Sequence, residues 1–161
     1  MHRPSFNRAW TAFVEIRVSV AQVGQKIGGS VQKNVAAGVF QNACPIRMSY
    51  VLNMTGFPIV KRPGYATVSG GDKRLYLFRV NDMMGYLERV FGKADKTVKT
   101  PRQSDFAGLK GILVVKGHGW GNAKGHVTLW DGFLCSDTCH LTSDPDNGPF
   151  VPDTASLWVL P

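Results

Sequence analysis

The segment that most constrains how this chain can fold is a helix signal that begins at a cysteine. Cys44 directly precedes Pro45, and the apolar run that follows ends at Gly56. Proline is favoured in the first turn of a helix and glycine just after its end, so the sequence predicts a helix over 45–55 with Cys44 as its N-cap. The dipole and free N–H groups there favour a thiolate. A small buried hydrophobe is the alternative interpretation of this cysteine.

Composition limits the class of protein and the kind of partner. The chain has 161 residues, 43% of them hydrophobic, which predicts one globular domain over residues 1–161. A net charge of +8 predicts an anionic partner, such as nucleic acid, a membrane surface or acidic cell-wall peptides. The basic residues are scattered without a nucleic-acid-binding signature, and no apolar run is long enough for membrane insertion. No signal peptide is expected, because no apolar segment follows the basic start before Glu15.

Periodicity predicts helices in the first half of the chain and strands in the second. Apolar residues recur at helical spacing over 4–24, and a shorter helix is expected over 30–37. A further helix is predicted to be capped by Asn81 and to end at Gly92. The predicted strands are 75–80, 111–116, 126–130, 133–137 and 157–160. The fold class expected is α+β, with helices packed on an antiparallel β-sheet.

A hairpin signal brings two titratable residues together. Asp-Gly between two β runs is typical of a two-residue turn, here at 131–132. This turn places Trp130 opposite Phe133 and, counting along the strands, His126 opposite Asp137. Directly opposed residues share one face with Cβ atoms roughly 4.5–5.5 Å apart. The sequence thus predicts an imidazole held by a carboxylate, with a purely structural ion pair as the alternative.

The predicted pair and the cysteine together suggest covalent catalysis. A thiol at a helix N-terminus, followed by a histidine and a carboxylate on neighbouring strands, is the layout of papain-like cysteine hydrolases. We therefore expect Cys44, His126 and Asp137 to form the catalytic site of an α+β, papain-like enzyme that needs no cofactor.

Cys135 and Cys139 flank the predicted acid. A bridge between them would close a small loop around Asp137, and we expect a disulfide. Two unpaired thiols in a cytosolic protein are the competing interpretation. The pattern Cys-x3-Cys followed by His140 lacks a second ligand cluster, so no metal site is expected.

A glycine-rich loop follows the strand predicted over 111–116. It contains Gly117, His118 and Trp120, but it lacks the spacing of a dinucleotide-binding or phosphate-binding loop. Its glycines allow the backbone to approach a ligand closely, so we expect these three residues to contribute to substrate binding.

Four sequence blocks carry a resemblance to a known family. The blocks are FQNACPIRMS at 40–49, KGHGW at 116–120, GHVTLW at 125–130 and DPDNGPFVP at 144–152. They resemble the type VI secretion amidase effectors of family four, bacterial toxins with an NlpC-like papain fold. The resemblance implies that Cys44 is the nucleophile, His126 the general base and acid, and Asp137 its orienting partner.

The same resemblance implies a substrate, a route and a partner. The substrate would be the peptide stem of Gram-negative peptidoglycan, cut between γ-D-glutamate and meso-diaminopimelate by a DL-endopeptidase. The type VI apparatus would carry the toxin into a rival's periplasm, where a disulfide can form. A cognate immunity protein would protect the producing cell.

Two points stay open at this stage. The oxyanion is expected to bind the backbone N–H of Cys44 and a second donor, either Asn42 or Gln41. The alternatives to a hydrolase are an acyltransferase with the same triad and a non-catalytic, basic cell-wall-binding module in which Cys44 is inert.

Overall fold

A computed structural model describes residues 2–121 and 123–161, so Asn122 of the glycine-rich loop lies outside the described residues. Helices dominate the first half of the chain and strands the second. The helices are α1 (Phe6–Ile16), α2 (Val20–Ile27), α3 (Gly29–Ala36), α4 (Cys44–Met54) and α5 (Val80–Phe91). The strands are β1 (Thr67–Ser69), β2 (Leu75–Leu77), β3 (Lys96–Lys99), β4 (Gly111–His118), β5 (Gly125–Trp130) and β6 (Val151–Val159). None of the described helices has the length and apolar character needed to cross a bilayer.

The main sheet has four antiparallel strands in the order β3-β6-β4-β5, and β1 pairs with β2 in a separate ribbon. Helices α1, α4 and α5 bury apolar side chains against one face of this sheet. The opposite face is covered by residues outside these helices and strands, including Phe106, Leu141 and Phe150. This arrangement confirms the predicted α+β class, and β5 lies at the sheet edge nearest to the functional site.

Helix α4 is the central helix, and most of its residues are buried. Its buried polar side chains fasten it to β2: the Ser49 hydroxyl accepts the N–H of Leu77 at 2.9 Å, and the Asn53 amide donates to the Leu75 carbonyl at 3.0 Å. The helix predicted over 45–55 is confirmed with a shift of one residue. Ala43 is the N-cap, and Cys44 is the first helical residue.

Two other helix boundaries differ from the sequence predictions. The helix expected over 4–24 is two helices, because Ser19 starts α2 through a capping box in which it and Gln22 exchange hydrogen bonds. Helix α5 begins at Val80, so Asn81 is inside the helix rather than at its cap.

Candidate active site

Cys44 lies fully buried at the first turn of α4. Among the described residues it is the one cysteine that is not in a disulfide. Pro45 in the same turn supplies no N–H, which leaves the Cys44 N–H as a donor near the sulfur. In this structure that N–H donates to the side-chain oxygen of Asn42 at 3.2 Å. Asn42 therefore lies where the sequence expected an oxyanion donor, but here its amide oxygen accepts a hydrogen bond.

His126 projects from β5 and is held by Asp137. Its Nε2 lies 3.1 Å from the Asp137 Oδ1, and the Thr128 hydroxyl donates to the same oxygen at 2.5 Å. His126 and Thr128 share a strand face because they are two residues apart. Because Asp137 occupies Nε2, Nδ1 is the ring nitrogen left for Cys44, whose side chain also hydrogen-bonds the ring. The structure thus brings together the three residues that the sequence proposed as catalytic.

The hairpin that carries Asp137 has a different register from the predicted one. Trp130 pairs with Cys135, not with Phe133, so the predicted pairing is wrong by two residues. The Asp131 carboxylate accepts the N–H groups of Phe133 and Leu134 at 2.8 and 2.7 Å, which opens the predicted two-residue turn into a longer loop.

This two-residue shift explains why the predicted register was wrong and why His126 and Asp137 still pair. The Ser136 N–H donates to the Leu129 carbonyl at 2.8 Å, so the next residue, Asp137, lies beside Thr128 rather than opposite His126. A slip of two residues keeps each side chain on its original face, whereas a slip of one would reverse it. The Asp137 carboxylate therefore reaches His126 diagonally.

The site electrostatics favour a protonated His126. Burial lowers the pKa of His126, but the Asp137 carboxylate and the Cys44 side chain, through charge interaction and hydrogen bonding with the ring, raise it to about 10. Burial raises the pKa of Asp137, but the His126 charge and the hydrogen bonds to the carboxylate hold it below its usual range. The Arg47 guanidinium lowers the Asp137 pKa further. An imidazolium is thus stabilised between a carboxylate and a sulfur.

Two cavities meet at the mouth of the site. The first, of about 460 Å³, is lined by His126, Asp137 and His140 and by Arg17 and Arg47. The second, of about 390 Å³, carries Arg79 and Lys124 on its wall. Residues common to both cavities are Asn42, Trp120 and Ala123. The cleft is therefore basic on both sides, which suits a substrate with several carboxylates.

Other residues from the sequence prediction divide between this cleft and the sheet. Gln41 and Trp120 line the first cavity. His118 lies outside both cavities and pairs with Asp153 at 2.9 Å. Gly117 lies at a bulge against β6, where an added Cβ would be 2.0 Å from the Val151 carbonyl oxygen. Close strand packing therefore accounts for this glycine, without a ligand.

Sequence reasoning missed two residues that contact the His126–Asp137 pair. Thr128 was readable from the alternation along β5, which puts it on the face of His126. His140 was considered only as a metal ligand, yet its ring lies 4.8 Å from that of His126. Among the described residues, no group of three or more His, Cys, Asp or Glu side chains is placed to hold a metal ion.

Cys135 and Cys139 form the predicted disulfide, with Cα atoms 5.3 Å apart. The bridge closes the loop that carries Asp137.

Replacing both cysteines with serine should destabilise the fold by about 2 kcal/mol, from the loop-closure entropy of so short a loop. We expect a fall in kcat of about tenfold because the carboxylate is held less firmly. Muropeptide hydrolysis with and without dithiothreitol checks this, since reduction should affect the wild type and leave the double variant unchanged.

Comparison with known proteins identifies the family. The sequence model for the family described as type VI secretion system amidase effector protein 4 matches residues 40–158. The chain belongs to this family. The resemblance found in the sequence is therefore confirmed, and the chain is an amidase effector. Comparison with curated protein sequences found no match.

Solved structures of family members resemble the chain over nearly its whole length. The effector Tae4 from Salmonella typhimurium, solved with the immunity protein Tai4 from Enterobacter cloacae, is 64% identical, with a TM-score of 0.96 over 99% of this chain and 100% of that chain. The E. cloacae effector in its immunity complex is 53% identical, with a TM-score of 0.96 over the same shares. The E. cloacae effector without a partner is 52% identical, with a TM-score of 0.93 over 99% and 98%.

Proposed function

We propose that this effector is a peptidoglycan DL-endopeptidase that hydrolyses the amide between γ-D-glutamate and meso-diaminopimelate, with residues 1–161 forming one catalytic domain. Cys44 is the nucleophile, His126 the general acid and base, and Asp137 the group that orients and charges the imidazole. The observation that carries the proposal is the buried His126 ring, held by Asp137 through Nε2 and interacting with the Cys44 side chain.

The chemistry follows from this arrangement. The Cys44 thiolate attacks the γ-carbonyl of D-glutamate, and the carbonyl π electrons move onto the oxygen. When the intermediate collapses, the His126 imidazolium gives its proton to the departing diaminopimelate amine, leaving a thioester. A water molecule then loses a proton to His126 and attacks the thioester, which releases the glutamate carboxylate and restores the thiolate.

The backbone N–H of Cys44, the expected donor to the oxyanion, is already hydrogen-bonded in this structure. The Cys44 N–H donates to the Asn42 side-chain oxygen, so the substrate oxygen must displace that amide oxygen before it can bind there. One oxyanion donor typically lowers the free-energy barrier of the reaction by about 3 kcal/mol. The second donor, from the amide group of Asn42 or of Gln41, stays a prediction.

The charge of the cleft supports this substrate. The two residues joined by the scissile amide both carry free carboxylates, and the cleft has Arg17 and Arg47 on one side and Arg79 and Lys124 on the other. Opposite charges of this kind raise the rate of encounter and select the orientation of the peptide.

The proposal extends to delivery and protection. We propose that the effector enters the target periplasm through the type VI apparatus, and that the disulfide closes in that oxidising compartment. We also propose a cognate immunity protein as its inhibitor, because the relatives from S. typhimurium and E. cloacae were solved in complex with immunity proteins.

Mass spectrometry of a diaminopimelate-type disaccharide tetrapeptide, incubated with the protein in H2¹⁸O, tests the proposal. We expect a disaccharide dipeptide with one ¹⁸O in its new glutamate carboxyl group, together with a diaminopimelate–alanine dipeptide. Cleavage at another bond would contradict the assigned specificity. Transfer of the acyl group to an added amine without ¹⁸O uptake would favour an acyltransferase, and an intact muropeptide would favour a binding module.

A further inference from the structure

His140 is packed against the catalytic histidine, and the mechanism above does not use it. Its ring stands nearly perpendicular to that of His126, with centroids 4.8 Å apart and an interplanar angle of 86°. Trp120 packs against His140 in the same manner, at 4.7 Å and 87°. His140 lines the cavity that contains His126 and Asp137.

The backbone and the side chain of His140 are both fixed. Its φ is 59°, a left-handed conformation that is uncommon outside glycine, although asparagine, aspartate and histidine adopt it more often than other residues. Its N–H donates to the Asp144 carboxylate at 3.1 Å, and its Nδ1 lies 3.0 Å from the Asn147 Oδ1. His140 also directly follows Cys139 of the disulfide. The ring is therefore held from three directions next to the active site.

The contacts of Asn147 define the tautomer of His140. The Asn147 amide nitrogen donates to the Leu141 carbonyl at 3.0 Å, so its Oδ1 is the atom that faces His140 and can only accept. Nδ1 of His140 must then carry the proton. The Asn147 backbone carbonyl also accepts the Trp120 indole N–H at 3.0 Å, so one residue anchors both rings.

We propose that His140 is a positioning residue for His126: its anchored ring sets the plane in which His126 presents Nδ1 to the Cys44 sulfur. Asp137 bonds Nε2 of the His126 ring, and this single hydrogen bond does not by itself fix the rotation of the ring about its Cβ–Cγ bond. The perpendicular ring of His140 restricts that rotation through edge-to-face packing. This inference rests on the proposed function and assigns a further residue to the same site.

The charge state of His140 agrees with this role. Burial and the positive charge of His126 lower the pKa of His140, against weaker opposing effects of Asn147, Asp144 and Asp137. A neutral ring can pack against an imidazolium without repulsion, whereas a second cation could not.

The test compares His140→Asn with the wild type by steady-state muropeptide kinetics. Asparagine tolerates the left-handed backbone but removes the ring. We expect kcat to fall by about 10- to 100-fold with KM within twofold, because the nucleophile and base are misaligned while the substrate contacts remain. His140→Phe keeps a ring but loses the hydrogen bond to Asn147. The kcat of this variant should lie between those of the wild type and His140→Asn. His2→Asn is the matched control, since this exposed histidine lines neither cavity of the cleft.

The outcomes separate positioning from its alternatives. A raised KM with unchanged kcat would make His140 a substrate-binding residue and overturn the inference, as would unchanged kinetics. Equal kcat values for the asparagine and phenylalanine variants would overturn the role of the ring. If His140→Asn does not fold, His140→Gly takes its place, since glycine adopts the left-handed backbone without strain, and the same lower kcat at constant KM is expected. A wild type that leaves the muropeptide intact would instead contradict the proposed function and, with it, this inference.

Discussion

Replacing Cys44 with alanine will abolish muropeptide hydrolysis and leave the protein folded. In the proposed mechanism the sulfur forms the covalent intermediate, so the variant loses the whole thioester route, and we expect a fall in kcat of at least about 10⁵-fold. Because the side chain is fully buried, removing one sulfur atom should cost only about 1 kcal/mol of stability.

The measurement is chromatography of muropeptide products alongside a thermal melt monitored by circular dichroism. Cys44→Ser is the matched variant, because it keeps an oxygen in place of the sulfur and should also be inactive at the detection limit. A folded Cys44→Ala protein that still releases the diaminopimelate peptide would exclude Cys44 as the nucleophile.

Replacing Asp137 with asparagine should lower kcat by about 10⁴-fold. The neutral amide no longer stabilises the imidazolium, and its N–H2 group can face Nε2 and impose the wrong tautomer. The Thr128 hydroxyl, which donates to the Oδ1 of Asp137, can instead accept from the amide N–H2 group, and this keeps the replaced side chain near its original place. The loss should therefore appear in kcat and not as unfolding.

Asp131→Asn provides the control for that substitution. Asp131 lies in the same hairpin and accepts two backbone N–H groups through one carboxylate oxygen, a role that an asparagine oxygen can take over. We expect its kcat within twofold of the wild type in the same assay. If Asp137→Asn matched this control, the pair between Asp137 and His126 would be structural.

The parts of the site that were predictable depend on local signals. Pro45 and Gly56 mark the two ends of α4 in the sequence, so the position of Cys44 was predicted to within one residue of the helix start. The proximity of His126 and Asp137 also came from a short-range signal, although the turn was misassigned. That error arose because the Asp131 side chain caps two backbone N–H groups, an interaction that the Asp-Gly dipeptide alone does not reveal.

The rest required tertiary structure. The last strand, β6, lies between β3 and β4, and its first residues were hidden in a stretch rich in proline and aspartate. The frame around His126 is built from Trp120, in the loop between β4 and β5, and from His140 and Asn147, in the long connection from β5 to β6. No periodicity links such positions, because only the packing of the loops on the sheet brings them together.

The pKa of His126 tests most directly whether this site is a charged catalytic dyad. The ring can be followed by NMR in protein labelled with ¹⁵N at its four histidines, with the signal assigned by its loss in His126→Gln. Because the folded pKa is raised to about 10, both ring nitrogens should stay protonated through pH 8, and the charge should be lost as the pH rises through about 10. A His126 ring that titrates near pH 6.5, as an unperturbed histidine does, would contradict the account.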